Sequence, residues 1–376
     1  MELADTTLTL FFTKRMSLKN WADIGIIDRE LALYKRLTTH LNRVNMVTYG
    51  GYKDKTYSDR LETIELLPVT WHNRVSPIIQ LLIKHFPQVK NTDILKTNQI
   101  QGSEIPIWFK KKFRKKLIVR CGYLYSRHMI KRHRKENIIR AAIKLEQKAF
   151  TSADIGVVTS AWQREIVVNR YQLDPVKVKV IPNYIITDVF IPIPKTPKKY
   201  DLIFIGRGSR QKNLENLLKA INSLKKEKYN VSLAMVGSCC YESKILQLIG
   251  KYDLDVKLMG VVPNFELPKI INQAKVFILP SYFEGHPKAL LEVMSCGIPC
   301  IGSNTTGIRE DIEHLVTGYL CQTNFMSIAK AIEALLSDNA LQTKLGKNAR
   351  QYILKSYSLD RIIKMELNVI KEVLAS

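Results

Sequence analysis

The stretch from Lys275 to Ser303, KVFILPSYFEGHPKALLEVMSCGIPCIGS, leaves this chain little choice of fold. Val276 to Leu279 is an apolar run closed by Pro280, the pattern of a buried strand. Ser281 to Gly285 is loop. Pro287 then takes the first helical position, where a fixed φ and a missing N–H do no harm. Lys288 to Ser295 carries helical patterning, with Leu290, Leu291 and Met294 apolar, and Gly297 and Pro299 stop it. A second apolar run, Ile298 to Ile301, follows at once. Strand, loop, helix and strand with connections this short make a βαβ unit, whose two strands lie parallel in one sheet.

The unit carries two carboxylates, Glu284 in the loop and Glu292 on the helix. Glu284 falls where the carboxyl edge of the sheet opens, the place where open α/β sheets bind ligands. The free N–H groups at the helix start, around Lys288 to Leu290, favour an anion such as a phosphate. Spacing alone leaves a plain alternative, because two glutamates near a helix are usually solvated. A second unit, DLIFIGRGSRQKNLENLLKAI, reads as a strand from Leu202 to Ile205, a basic loop from Gly206 to Lys212 and a helix from Leu214 to Leu224. Arg207 offers a fork and Lys212 a point charge, which together can bracket phosphate oxygens.

The segment EGHPKALLEVMSCGIPCIGSNTTGIREDI resembles the donor-site signature of the retaining glycosyltransferases of family GT4. Its pieces are Glu284, Glu292, Cys296-Gly297, Pro299 and Thr306-Gly307, and the upstream loop resembles the GR-x4-KN signature of the same family. The resemblance is strong over residues 200–355 and weaker over 1–190. It implies an α/β chain of GT-B fold: two Rossmann-like domains with a cleft between them and a C-terminal helix crossing back to the first. Residues 1–190 would bind acceptor, 191–199 form a linker, 200–355 bind donor and 356–376 make the crossing helix. The implied catalytic residues are Glu284, Arg207 and Lys212. The implied donor-binding residues are Glu292 on the ribose, Gly206, Gly285, His286, Lys288, Ala289, Leu290 and the backbone at Val262. The reaction implied moves a sugar, with retention, from a nucleotide-diphosphate sugar to an acceptor hydroxyl, the departing phosphate taking the proton. No cofactor beyond that donor is expected. No metal is expected either, since no aspartate pair resembles the DxD site of other glycosyltransferases.

The first half is read in order. Thr7 to Thr13 is a first strand, Lys14 to Gly25 a loop, Ile26 to about His40 a helix with an apolar face, and Val44 to Tyr49 a strand broken by Gly50-Gly51. Family members place a glycine-rich turn after the first strand; here Gly25 is the residue available. Leu61 to Val69 and Asp93 to Thr97 read as strands, and Pro77 to Phe86 as an amphipathic helix that suits either a core or a membrane surface. Leu117 to Val119 is a strand ending in Arg120-Cys121, where many relatives carry a histidine near the reacting sugar. Arg120 is either the acceptor-side substitute or half of a structural ion pair. Helix Glu136 to Phe150, strand Asp154 to Val158 and strand Val178 to Tyr184 follow, and then Ile191 to Lys199, with three prolines, stiffens into a boundary. Beyond it come strands Val231 to Val236 and Val256 to Gly260, helix Glu266 to Ala274, a short strand Gly318 to Leu320, and helices Met326 to Leu336, Asn339 to Leu354 and Leu359 to Ala375.

Charge sets the partners. The 376 residues carry a net charge of +24, and residues 1–190 hold 33 Lys and Arg against 17 Asp and Glu. Between Lys110 and Lys135 stand 12 basic residues and no acidic one. The segment Trp108 to Lys116, WFKKKFRKK, mixes aromatics with cations as interfacial segments do. An anionic membrane, a nucleic acid and a solvated face all suit such a run. No nucleic-acid-binding fold accompanies it, so no nucleic-acid partner is expected. No apolar run has spanning length, Glu2 and Asp5 precede the first apolar run, and six scattered cysteines suit a reduced compartment. The expectation is a cytoplasmic protein, peripheral at the inner membrane face, acting on a lipid-linked or oligosaccharide acceptor in bacterial surface-polysaccharide assembly. Sugar-nucleotide epimerases and silent sugar-nucleotide binders share this fold, and a basic nucleic-acid-binding protein is a more distant alternative.

Overall fold

The structure, a computed structural model, describes residues 2–71 and 75–376. It divides into two compact units, Met1–Asn183 with Asp360–Ser376, and Tyr184–Leu359.

In chain order the first unit runs β1 (Thr7–Phe11), α1 (Leu18–Asp23), α2 (Ile27–Leu37), β2 (Arg43–Thr48), β3 (Glu65–Pro68), α3 (Pro77–Lys84), α4 (Phe86–Lys90) and β4 (Ile94–Thr97). It continues through α5 (Glu104–Phe113), β5 (Lys116–Cys121), α6 (Tyr125–Lys131), α7 (Glu136–Ser152), β6 (Ile155–Val158), α8 (Ala161–Tyr171) and β7 (Val178–Val180). The strands form one parallel sheet in the order β3-β2-β1-β4-β5-β6-β7. Helices cover both faces of a parallel sheet, which is why β1, TLTLF, is buried at every position instead of alternating.

The second unit holds β8 (Tyr200–Ile205), α9 (Leu214–Lys226), β9 (Leu233–Val236), α10 (Ser243–Tyr252), β10 (Val256–Leu258), α11 (Leu267–Ile271), β11 (Ala274–Leu279), α12 (Lys288–Ser295), β12 (Cys300–Ser303), β13 (Tyr319–Cys321), α13 (Phe325–Leu336) and α14 (Asn339–Ser356). Its sheet is also parallel, ordered β10-β9-β8-β11-β12-β13. The βαβ unit read from the sequence is β11-α12-β12, paired Phe277 to Cys300 through Leu279 to Gly302. The chain thus has the two-unit α/β organisation of the GT-B class.

Several boundaries move for local reasons. The expected loop from Lys14 to Gly25 contains α1, because the Ser17 hydroxyl accepts from the Asn20 N–H while Leu18 and Trp21 bury one face. Gly25, at φ +74°, ends that helix and forms no turn directly after β1. The strand expected from Leu61 shortens to β3, because residues 51–60 wind into 3₁₀ turns pinned by the buried Asp54, which accepts from the Gly50 and Lys19 N–H groups. The helix expected to reach Ala274 stops at Ile271, since Ala274 already pairs with Tyr200 in the sheet. The last strand of the first sheet ends at Val180, short of Tyr184. Pro287 is the N-cap of α12, not its first helical residue.

The interfacial reading of Trp108 to Lys116 is corrected in part. Phe109 is fully buried against Phe11, with ring centroids 6.2 Å apart, so the aromatic half belongs to the core while Lys111, Lys112 and Arg114 face out. The proline-rich segment 191–199 lies on the second unit: Asn272 exchanges hydrogen bonds with the Ile193 N–H and the Ile191 carbonyl, and the Lys198 ammonium donates to the Asn272 and Ala274 carbonyls. The division falls earlier, between Asn183 and Tyr184.

The last helix, α15 (Leu359–Ala375), counts with the first unit from Asp360 onward. Ile362, Glu366, Val369, Ile370 and Val373 make its buried stripe. At the centre of that stripe the Lys96 ammonium on β4 meets the Glu366 carboxylate at 2.5 Å, both side chains 0% exposed. Arg120 on β5 stands 3.7 Å from the other Glu366 oxygen and donates to the Asn183 side chain at 3.2 Å. Burial draws the Lys96 pKa below its ordinary value, and Glu366 opposes that. The ion pair, one of the two readings of Arg120, is present at 3.7 Å. Glu366→Ala strands Lys96 without a counterion, and the expected loss of stability is about 3–5 kcal/mol. The double change Lys96→Met with Glu366→Leu is expected to lose less than that single change, and denaturant unfolding of the three proteins checks it.

Candidate functional site

The strand order of the second sheet reverses between β8 and β11, which are parallel neighbours although β8 leads to β9 and β11 to β12. Connections leave such a point toward opposite faces, so a crevice opens outside the carboxyl ends of the two strands. The loop after β8 supplies Gly206, Arg207 and Lys212; the loop after β11 supplies Glu284, Gly285 and His286. Residues read from two separate motifs therefore meet at one sheet edge.

They meet through a short ion pair. The Lys212 ammonium is 2.8 Å from a Glu284 oxygen, with the side chains 13% and 9% exposed. The Gln211 amide donates to the Phe283 carbonyl at 2.8 Å and to the second Glu284 oxygen at 3.3 Å, while the Tyr282 N–H donates to the Gln211 carbonyl at 2.9 Å. Asn213, in the left-handed region at φ 56°, donates its amide to the Pro280 and Thr323 carbonyls. The two loops are thus locked backbone to side chain. Arg207 is exposed and, among the described residues, enters no salt bridge.

Behind the Glu284 loop lies Gly307, at φ +90°. A Cβ there would stand 2.5 Å from the Gly285 carbonyl oxygen and 2.6 Å from that of Glu284. Glycine at this point lets the following turn press against the loop, which is the physical content of the Thr306-Gly307 pair. His286 is buried, its Nε2 3.4 Å from an Asp311 oxygen that also accepts from the Tyr357 hydroxyl at 2.8 Å. The His286 ring stands edge-on to Tyr357 at 5.1 Å. Burial, with Asp311 beside it, holds the Tyr357 phenol well above its ordinary pKa.

Helix α12 starts at Lys288, and the Leu290 N–H already donates to the Pro287 carbonyl at 3.1 Å. The Lys288 ammonium lies 5.8 Å from the Tyr184 ring centroid, and Ala289 is half-buried beside it. One turn on, Glu292 is 1% exposed and accepts from the Asn264 amide at 2.9 Å. Burial and then the Glu292 charge push the Cys296 thiol up to about 12. Val262 precedes Asn264 in the half-exposed segment after β10. Gly25 and Arg120 belong to the first unit. Among the described residues, no group of three or more His, Cys, Asp or Glu side chains is placed to hold a metal ion.

Sequence reading passed over Gln211, Asn264, Asp311 and Tyr357. Gln211 sits inside the basic motif and could have been weighed as its spacer; nothing local marks the other three, whose partners are 25 to 46 residues away.

Residues 187–352 match the family model described as glycosyl transferases group 1. An uncharacterized glycosyltransferase of Methanocaldococcus jannaschii is 31% identical over 45% of this chain and 44% of its own length. The capsular polysaccharide biosynthesis glycosyltransferase CapM of Staphylococcus aureus is 25% identical over 59% and 58%. The UDP-Gal:alpha-D-GlcNAc-diphosphoundecaprenol alpha-1,3-galactosyltransferase of Escherichia coli is 27% identical over 52% and 54%. The chain spans about half the length of these curated relatives. Anabaena Alr3699/HepE in complex with UDP-glucose has a TM-score of 0.77 at 16% identity, over 97% of this chain and 99% of that one, a likeness of fold.

Gly307→Ala must push the Glu284 and Gly285 backbone away, and a destabilisation of about 1–3 kcal/mol is expected. Gly250→Ala on α10, where nothing stands within 4 Å, is expected to stabilise by up to about 1 kcal/mol. Thermal unfolding of the two variants side by side checks the contrast.

Proposed function

We propose that this chain, whose residues 187–352 match the family model described as glycosyl transferases group 1, is a retaining glycosyltransferase using a nucleotide-diphosphate sugar. The observation that carries the reading is the Lys212–Glu284 pair at the β8/β11 switch point, with the start of α12 beside it. In this reading Arg207, Lys212 and the start of α12 receive the diphosphate, with Gly206 leaving room for its approach. Breaking the sugar–phosphate bond loads negative charge on those oxygens, and cations fixed in place stabilise it without reorganising. That is the role a metal would otherwise fill. Glu284, oriented by Lys212 and Gln211, faces the sugar; Glu292, oriented by Asn264, takes the ribose hydroxyls; the backbone near Val262 meets the base. His286 and Gly285 hold the Glu284 loop. The acceptor hydroxyl attacks from the leaving-group face, and the departing phosphate accepts its proton.

The acceptor we propose is a lipid-linked or oligosaccharide intermediate of bacterial surface polysaccharide. The printed names of the Staphylococcus aureus and Escherichia coli relatives support this. No described helix is long and apolar enough to cross a membrane. A peripheral contact is supported by α3, which exposes Ile79 and Ile83 (48% and 75%), and by Phe86, whose ring is 6.1 Å from Phe113 on α5, next to the outward-facing Lys111, Lys112 and Arg114. Apolar side chains rimmed by cations suit an anionic lipid surface, with each cation near the surface contributing about 1 kcal/mol.

A panel of UDP-, GDP- and ADP-sugars tests the transfer reading by binding and slow hydrolysis. One nucleotide sugar is expected to bind, and Lys212→Ala and Glu292→Ala to weaken it at least about tenfold, with hydrolysis unchanged in EDTA. Failure of every nucleotide sugar to bind would sink it. For the membrane contact, Ile79→Glu with Ile83→Glu is expected to abolish cosedimentation with anionic vesicles, while unchanged sedimentation would remove α3 from the surface.

A further inference from the structure

Cys239 and Cys240 are consecutive in the chain and lie just past the carboxyl end of β9, in the 3₁₀ turn Ser238–Tyr241. Their sulfurs are 4.0 Å apart. The Cys239 Sγ also faces the Val236 carbonyl at 3.5 Å, while the Cys240 Sγ accepts from the Gly260 N–H at 3.3 Å and stands 3.2 Å from the Met235 carbonyl. All six cysteines are free thiols. Burial raises Cys121, Cys296, Cys300 and Cys321 above the ordinary thiol range, and such thiols are inert. Cys240 moves the other way, because the Cys239 S–H and then the backbone N–H groups around Gly260 donate to its thiolate and outweigh burial. Cys240 is 5% exposed and adjoins a solvent-facing run, Tyr241 to Lys244, so a local opening of one short turn uncovers it. One sulfur is a nucleophile, and its neighbour in the chain is placed to resolve the adduct it forms.

The same turn is wedged against the loop after β8. The Gly206 N–H donates to the Val236 carbonyl at 2.8 Å, and the Cys239 N–H to the Gly206 carbonyl at 3.4 Å. Gly237, at φ +110°, permits this approach, since a Cβ there would collide with the Gly206 carbonyl. On its other side the Gly237 N–H donates to the Gly260 carbonyl at 2.6 Å, and the Glu242 side chain fills the space that a Cβ on Gly208 would need. Consecutive Cα atoms are about 3.8 Å apart across a trans peptide, whereas a disulfide ordinarily spans about 4.4–6.8 Å between Cα atoms. A bond between these two sulfurs therefore strains the turn, and its contacts with residues 206–208 cannot stay as they are. That strain also makes the bond easy to reduce again.

We propose that Cys239 and Cys240 form an oxidisable vicinal dithiol, a modification site that low-molecular-weight disulfides convert reversibly to a Cys239–Cys240 disulfide, displacing the Gly206 loop. The Cys240 thiolate attacks one sulfur of the small disulfide RSSR and expels RS⁻. Cys239 then gives its proton to that RS⁻, attacks the Cys240 sulfur and expels the second RS⁻, which takes up the proton Cys240 had released to water. The dithiol loses two electrons and RSSR gains them, leaving two RSH. On the glycosyl-transfer reading given above, the displaced loop receives the donor diphosphate, so oxidation weakens donor binding; formation of the disulfide does not depend on that reading.

Treatment of the full folded chain with bis(2-hydroxyethyl) disulfide tests it. The tryptic peptide spanning 229–244 holds both sulfurs and no other cysteine. It is expected to become lighter by two hydrogens before the other four cysteines react, while amide hydrogen exchange over residues 206–212 quickens at least about tenfold. Nucleotide-sugar affinity is expected to fall at least about tenfold, and dithiothreitol to restore it. Cys239→Ala is expected to stop at the mixed disulfide on Cys240, and Cys240→Ala to leave the peptide unmodified; the wild-type mass and exchange measurements stand without either variant. The proposal is overturned if the peptide keeps both thiols while the chain stays folded, or if it reacts no faster than the other cysteines. A disulfide that forms without changing exchange over 206–212 overturns it too. Failure of the reduced chain to bind any nucleotide sugar bears on the donor reading alone, because mass and exchange still decide this one.

Discussion

Parallel pairing of β8 with β11 is the constraint from which the second unit follows. A parallel strand cannot be returned by a tight turn, so each is followed by a crossover, and all carboxyl ends collect on one edge. Because β8 and β11 are neighbours in space but 72 residues separate Lys212 from Glu284 in the chain, that edge joins two motifs that would otherwise be unrelated. The ion pair between them is mostly sheltered from water, which strengthens it and also makes either partner costly to leave alone. Gln211 below and Gly307 behind complete a loop with little freedom to drift. Rigidity of this kind is what fixed charges need if they are to stabilise a transition state without moving.

The first unit solves a different problem with similar means. Its sheet is covered on both faces, and one element of the cover, α15, arrives from the far end of the chain. A helix with an apolar stripe packs in several registers at similar cost. A buried carboxylate packs in one, because only one register brings Glu366 to Lys96 and Arg120. The ion pair contributes little net energy after desolvation, and its effect is to make alternative placements unfavourable. Arg120, also a candidate for acceptor-side chemistry, stands 3.7 Å from that carboxylate.

Legibility followed sequence distance. β11-α12-β12 was plain because apolar run, turn and helix stop all lie within 29 residues and each obeys a local rule. The basic loop after β8 was plain for the same reason. Short elements without a strong period were missed: α1 rests on one serine cap and two buried side chains, and the turns over residues 51–60 rest on a single buried aspartate. The Trp108 to Lys116 run misled because composition averages over a helix, whereas Phe109 and Lys111 point in different directions on it.

The sequence by itself determined the two parallel α/β halves, the positions of their motifs and the residue types that can meet a phosphate, because periodicity, caps and breakers act within a turn or two. Tertiary structure decided which of those residues are held by what. It paired Lys212 with Glu284, gave Glu292 to Asn264, drew His286 and Tyr357 to Asp311, and took Arg120 for Glu366. Those partners lie between 25 and 246 residues apart, and only packing, which has no memory of chain distance, brings them within reach of a hydrogen bond or ion pair.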